Sequence, residues 1–150
     1  MSDATADSPV PQVIAVEDNP ADVRLLREGI AAAETTLELT VFNNGQNAAD
    51  HLAAIAPDAA DEHPDLILLD LNTPGRSGFE LLELIRTDTA FQAVPVVIVS
   101  SSQNPQDIDR AYEQSANAYA TKPADPDEHI RMIDATIEFW IATVSPFNSQ

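Results

Sequence analysis

The chain has 150 residues, 44% of them apolar, and a formal charge of −18. That is enough length and apolar content for one domain with a real core. No Lys/Arg cluster exists to neutralise phosphates, no apolar run reaches about 18 residues, and cysteine is absent, which argues against a nucleic-acid partner, a membrane helix, a disulfide frame and a thiolate metal site.

Met1–Pro11 is acidic, without a basic or apolar signal-like stretch, and reads as a flexible tail. The first strand is expected over Gln12–Glu17. Asn19-Pro20-Ala21-Asp22 then spells a helix start: a side-chain cap, proline where no N–H is needed, and an acid facing the positive helix end. A second strand is expected over Leu37–Phe42, and a polar, acidic inserted loop over Pro57–Pro64. Leu66–Asp70 and Val96–Ser100 are the third and fourth strands, and their apolar runs suit parallel strands covered on both faces. Between them Ser77-Gly78-Phe79-Glu80 forms a capping box.

Asn104-Pro105-Gln106-Asp107 opens the next helix, with Ile108, Ala111, Tyr112 and Ser115 on one face. Ala118–Thr121 is the fifth strand. Asp125-Pro126-Asp127-Glu128 opens a long last helix with Ile130, Ile133, Ile137, Ile141 and Val144 on one face, and Ser145–Gln150 is a short tail. Strands alternating with helices imply an α/β fold, a parallel sheet covered on both faces by right-handed crossovers. Ligands of such folds bind beyond the carboxyl ends of the strands.

Glu17, Asp18, Asp70, Ser100 and Lys122 all fall at those ends. Lys122 is the only lysine in the chain and directly precedes Pro123. A strand-end carboxylate such as Asp70 can attack a phosphoryl donor, but attacker and donor are both negative. A divalent cation would neutralise both, and Mg²⁺ prefers oxygen ligands. Asp18 and Asp70 could bind it directly, Glu17 through water, and the Asn72 main-chain carbonyl is within reach. Lys122 supplies a fixed cation and Ser100 a hydroxyl donor for phosphoryl oxygens. Taken singly each residue has an ordinary reading: Asp70 as a turn cap, Glu17-Asp18 as a solvated turn, Ser100 as the start of a loop, Tyr119 as core. Their order on successive strand ends is what points to a site.

Four segments carry a resemblance over Gln12 to Val144: Val16-Glu17-Asp18-Asn19-Pro20; Leu68-Leu69-Asp70-Leu71-Asn72-Thr73-Pro74-Gly75 with Gly78; Val99-Ser100-Ser101; and Tyr119-Ala120-Thr121-Lys122-Pro123. Together they resemble the receiver domain of two-component response regulators, residues 12–144 here. The resemblance implies a flavodoxin-like (βα)5 doubly wound fold with strand order 2-1-3-4-5. It implies Asp70 as phosphoacceptor from a sensor histidine kinase, and Mg²⁺ held by Glu17, Asp18, Asp70 and Asn72. Ser100 and Lys122 would bind the phosphoryl group, with the Lys122–Pro123 bond cis. Ser100 and Tyr119 would act as switch residues that reshape the face of the fourth helix, fifth strand and last helix for a downstream protein. The protein would catalyse only its own phosphorylation and dephosphorylation, in the cytoplasm.

Ser115 and Ala124 depart from the family pattern, where glycine and phenylalanine are usual. Glu17 to Leu26 is similar to stand-alone, phytochrome-associated receivers, a type common in salt-loving archaea. An acidic, lysine-poor surface fits such a host, because at molar salt the screening length falls to about 3 Å. Phe139, Trp140 and Phe147 crowd the C-terminal end, as core fillers or as a dimer or partner patch. His51, His63 and His129 lack metal-ligand spacing and read as surface residues, and Arg24, Arg27, Arg76, Arg86, Arg110 and Arg131 read as solvated helix charges. A dehalogenase-type phosphatase would want an acid at Asn72, and a nucleotide-binding protein a glycine-rich loop. A flavodoxin-like electron carrier would want aromatics near the strand ends. The remaining rival is a receiver-like binding module that is never phosphorylated.

Overall fold

In the computed structural model, which describes residues 10–88 and 90–143, the capping residues sit where the local sequence puts them. The elements are β1 (Gln12–Val16), α1 (Pro20–Ala32), β2 (Glu38–Phe42), α2 (Gly45–Ala54), β3 (Leu66–Leu69), α3 (Gly78–Thr87), β4 (Val96–Ser100), α4 (Pro105–Glu113), β5 (Ala118–Thr121) and α5 (Pro126–Ile137). The Asn19 side chain accepts from the Ala21 and Asp22 N–H groups, Asn104 from Gln106 and Asp125 from Glu128. Ser77 and Glu80 form the reciprocal capping box. The inserted loop Pro57–Pro64 contains one short 3₁₀ turn, Ala60–Glu62.

All strand pairs are parallel and the order is β2-β1-β3-β4-β5, the doubly wound flavodoxin-like arrangement. Side chains alternate across each strand, so two cores form. Ile14, Val16, Ile67, Leu69, Val96 and Ile98 face Leu52 of α2, Leu81, Leu82 and Ile85 of α3, and Ala111 of α4. Val13, Ala15, Leu66, Leu68, Val97 and Val99 face Leu26 of α1, and Ile133 and Ile137 of α5.

The last helix departs from expectation. It runs as α-helix only to Ile137 and continues as a π-helical stretch, Glu138–Thr143. The π pattern bonds i to i+5 and widens the turn. Trp140 and Ile141, adjacent in sequence, thereby both pack on the core, while Phe139 is 54% exposed and lies edge-on to Trp140. Phe139 is thus not a core residue. Val144 and Phe147 lie outside the described residues, as do Met1–Pro9 of the tail and all of Ser145–Gln150.

Tyr112 does not join Ala111 in the core. It is 50% exposed, and its hydroxyl accepts the Tyr119 N–H at the outer edge of β5, a donor the sheet leaves unpaired. Ser115 is left-handed at φ 70°. It terminates α4 in a Schellman arrangement, with Ser115 N–H bonding Tyr112 O and Ala116 N–H bonding Ala111 O. The strain of about 1–2 kcal/mol for a side chain there is offset by Arg86, whose guanidinium donates to Ser115 O, Gln92 O, Val94 O and Asn117 Oδ1. Arg86 is therefore a structural clamp, not a solvated charge. Arg110 likewise lies 4.0 Å over the Phe79 ring, and Arg76 is half-buried in a loop.

Gly29 is where α1 meets α5. A Cβ there would lie 2.4 Å from Ile133 Cβ and 3.0 Å from Ile130 O. In a free helix, Gly to Ala stabilises by about 1 kcal/mol. Here the sign inverts, and Gly29→Ala is expected to destabilise by about 2 kcal/mol in urea unfolding; a variant more stable than wild type would contradict this close packing.

Candidate functional site

The sheet register assembles the site. Val16 pairs with Leu69, so Glu17 and Asp70 leave neighbouring strands side by side, their backbones fixed by Glu17 N–H to Phe42 O (2.9 Å) and Asp70 N–H to Val16 O (3.1 Å). On the other side, Ser100 pairs with Thr121, and Lys122 N–H donates to Ser100 O at 2.8 Å. Gly78 lets the start of α3 lie against the turn after Asp70, because a Cβ would sit 2.7 Å from Asp70 O and 2.6 Å from Leu71 Cα.

Lys122 Nζ lies 2.7 Å from Glu17 Oε1, 2.7 Å from Asp22 Oδ2 and 2.9 Å from Asp70 Oδ2. Its side chain is 9% exposed, and all three N–H donors have carboxylate partners. Each of the two strand-end acids uses its other oxygen on a main-chain donor: Glu17 Oε2 accepts from Asn19 N–H at 3.1 Å, and Asp70 Oδ1 from Asn72 N–H at 3.0 Å.

Burial opposes both kinds of charge here. It is the largest influence on Glu17 and lifts its carboxyl to about 7, Asp70 adding to the rise while Lys122 and the Asn19 N–H oppose it. Burial also pulls on the Lys122 ammonium, but the hydrogen bonds it donates to Asp22, Glu17 and Asp70 outweigh that and hold the lysine charged above its ordinary range.

Glu17, Asp18 and Asp70 each offer a carboxylate oxygen, all within 4.8 Å of one another. A compact set of hard oxygen donors suits a divalent cation such as Mg²⁺ or Mn²⁺. Asp18 is exposed, which leaves the cluster open to solvent on that side. Ser100 is fully buried, and its hydroxyl accepts the Ser102 N–H at 3.1 Å. Tyr119 is partly buried, and its hydroxyl donates to Ser102 O at 2.8 Å, so one loop residue ties both to the mouth of the site.

Three features differ from expectation. The Lys122–Pro123 peptide is trans, since no described peptide bond is cis. Trans is the lower-energy isomer, and contacts with three carboxylates aim the lysine without a cis turn. Asp22, read in the sequence only as a helix-start acid, touches the lysine directly. His129, taken for a surface residue, is 3% exposed, and its pKa is lowered first of all by burial, with Lys122 acting in the same direction and Asp22 against it. Its signal was available, for it stands four residues before Ile133 on the buried face of α5.

The model of the response regulator receiver domain matches residues 13–134. The chain belongs to the response regulator receiver family. It is 32% identical over 145 residues to response regulator Rcp1 of Synechocystis, with 97% of each chain covered. Its fold superposes on a phosphorylated cyanobacterial phytochrome response regulator, RcpA, with a TM-score of 0.82 and 36% identity, over 89% of this chain and 96% of that one. A Mn²⁺-bound form of Rcp1 gives a TM-score of 0.81 at 32% identity, with the same coverage. No described helix is long and apolar enough to cross a membrane. The receiver is thus close to phytochrome-associated regulators of the Rcp1 type, and its acidic cluster suits divalent metal.

In this receiver the raised Glu17 pKa has a definite sign. The folded state holds a proton on Glu17 that the unfolded chain releases near 4.5, so this group's stabilising contribution is lost as pH rises through about 7. With chelator present, Glu17→Gln is expected to gain urea midpoint relative to wild type between about pH 5 and about pH 8. A constant difference across that range would show that Glu17 is not perturbed.

Proposed function

We propose that this receiver accepts a phosphoryl group on Asp70 from a sensor histidine kinase and signals through a changed protein-binding surface. The observation that carries the proposal is the buried ammonium of Lys122 held between Glu17 and Asp70 at the ends of β1 and β3. An Asp70 oxygen attacks the phosphorus, an O–P bond forms, and the P–N bond to the kinase imidazole breaks; the ring, already protonated on its other nitrogen, keeps the P–N electron pair and leaves as neutral imidazole. Lys122 stays charged throughout and stabilises the phosphoryl oxygens. Glu17, Asp18 and Asp70, with the Asn72 carbonyl, would hold Mg²⁺, which when bound supplies charge neutralisation between acceptor and donor. The acyl phosphate is later hydrolysed by the protein itself.

The Ser100 hydroxyl then leaves Ser102 N–H for the phosphoryl group, and Tyr119 moves into the vacated space. That alters the surface of α4, β5 and α5, where a downstream protein or a second copy docks. Phosphorylation shifts this equilibrium only by stabilising one state more than the other. The near-complete overlap with Rcp1 supports a receiver over residues 12–144 that acts by protein contact. The −18 charge and the single lysine support a host with high internal salt; an unfolding midpoint that rises with KCl is the signature of that surface. The unphosphorylated binding module is disfavoured, because it has no use for a buried lysine aimed at Asp70.

Intact mass after incubation with Mg²⁺ and a small phosphodonor tests the reaction. Wild type is expected to gain one phosphoryl group, and Asp70→Asn or chelated protein none. Ser100→Ala is expected to gain the group yet fail to change its partner binding. An adduct that survives in Asp70→Asn would overturn the assignment.

A further inference from the structure

Asp22 is the one partner of Lys122 that stands outside the carboxylate cluster suited to a cation. Its Oδ2 lies 2.7 Å from Nζ, shorter than the 2.9 Å contact to Asp70. The clustered ligand atoms belong to Glu17, Asp18 and Asp70 only. Two of the lysine's three acceptors are therefore side chains that a bound cation and an incoming phosphoryl group would also engage. A buried ammonium that lost both would be left short of partners, at substantial cost. Asp22 is not drawn away in this sense. It sits in the first turn of α1, where Asn19 Oδ1 accepts its N–H at 3.3 Å, and α1 is locked on α5 through Gly29 and Ile133.

A structural role at the helix N-terminus would also suit an acid at this position. That role is satisfied by a carboxylate facing solvent, whereas the Asp22 side chain is only 22% exposed and turned onto Nζ.

We propose that Asp22 is a positioning residue for Lys122: it retains the ammonium over the site when cation and phosphoryl group engage Glu17 and Asp70. The proposal rests on the phosphoacceptor reading of Asp70 and assigns the device that keeps the lysine in place during that reaction. Three acid side chains hold Lys122 in the free protein; in the loaded protein Asp22 is the one of them not also engaged by cation or phosphoryl group, and it anchors the ammonium while the phosphoryl oxygens take the other donors. Removing Asp22 should therefore matter little without cation and strongly with it.

Because Lys122 is the sole lysine, its exposure can be read by amine labelling and peptide mass mapping, apart from the α-amino group. In the full chain with Mg²⁺, Asp22→Asn is expected to label at Lys122 about tenfold faster than wild type, the size of one charge-assisted hydrogen bond. With chelator the two should agree within about twofold. Phosphorylation of Asp22→Asn by a small phosphodonor should slow by about tenfold, and that loss should vanish when both proteins also carry Lys122→Met. If Asp22→Asn does not fold, Asp22→Ser takes its place.

Equal Lys122 labelling in Mg²⁺ would overturn the proposal. So would a phosphorylation loss that persists in the Lys122→Met background, since Asp22 would then act through its field or its helix. Failure of the underlying reading looks different: wild type itself takes no phosphoryl group, and the proposal falls with it.

Discussion

The whole arrangement depends on one buried ammonium shared among three carboxylates. An isolated charge at 9% exposure would be prohibitively costly, and so would Glu17 and Asp70 unpaired and adjacent. Each makes the other tolerable only if three chain segments far apart in sequence, 17–22, 70 and 122, meet to within hydrogen-bonding distance. The parallel sheet achieves this, because strand register alone brings Val16 beside Leu69 and Ser100 beside Thr121. The two cores fix the sheet; the sheet fixes the carboxyl ends of β1, β3 and β5; and those ends fix the charges. The same arrangement that the fold must satisfy is the one that phosphoryl transfer requires, with fixed cationic charge beside a carboxylate and room for a dication on the open side.

The opposite flank connects this charge cluster to the surface. Ser102 accepts the Tyr119 hydroxyl on its carbonyl and gives its N–H to Ser100, and Tyr112 holds the outer edge of β5 at Tyr119. Arg86 braces the base of the same region, joining the end of α3 to the loops before β4 and β5. Direct contacts thus link Ser100 to β5 and α4 through Ser102, Tyr119 and Tyr112.

Much of this was legible in the chain because each signal is local. Asn19, Ser77, Asn104 and Asp125 cap the helices they precede, and the apolar runs of β3 and β4 are buried throughout. Glu17, Asp70 and Lys122 could be grouped because strand ends in such folds converge. Two of the misses, Asp22 and His129, share a cause, for their signals were local but had two meanings. Asp22 satisfies the grammar of a helix start, so its contact with a lysine a hundred residues away left no further trace. His129 follows Asp127 and Glu128 in a polar first turn, which hid its place on the Ile133–Ile137 face. The π-helical stretch goes with Trp140 and Ile141 packing together on the core, a tertiary feature without a local signal.

The central claim is that Lys122 and its partners make Asp70, among many acids, the phosphoryl acceptor. The most direct measurement is borohydride reduction of protein treated with phosphodonor and Mg²⁺, followed by peptide sequencing by mass spectrometry. Reduction turns an aspartyl phosphate into homoserine and so records its position. The account requires homoserine at position 70 and at no other. Homoserine elsewhere, or none in protein that has gained a phosphoryl group, would contradict it.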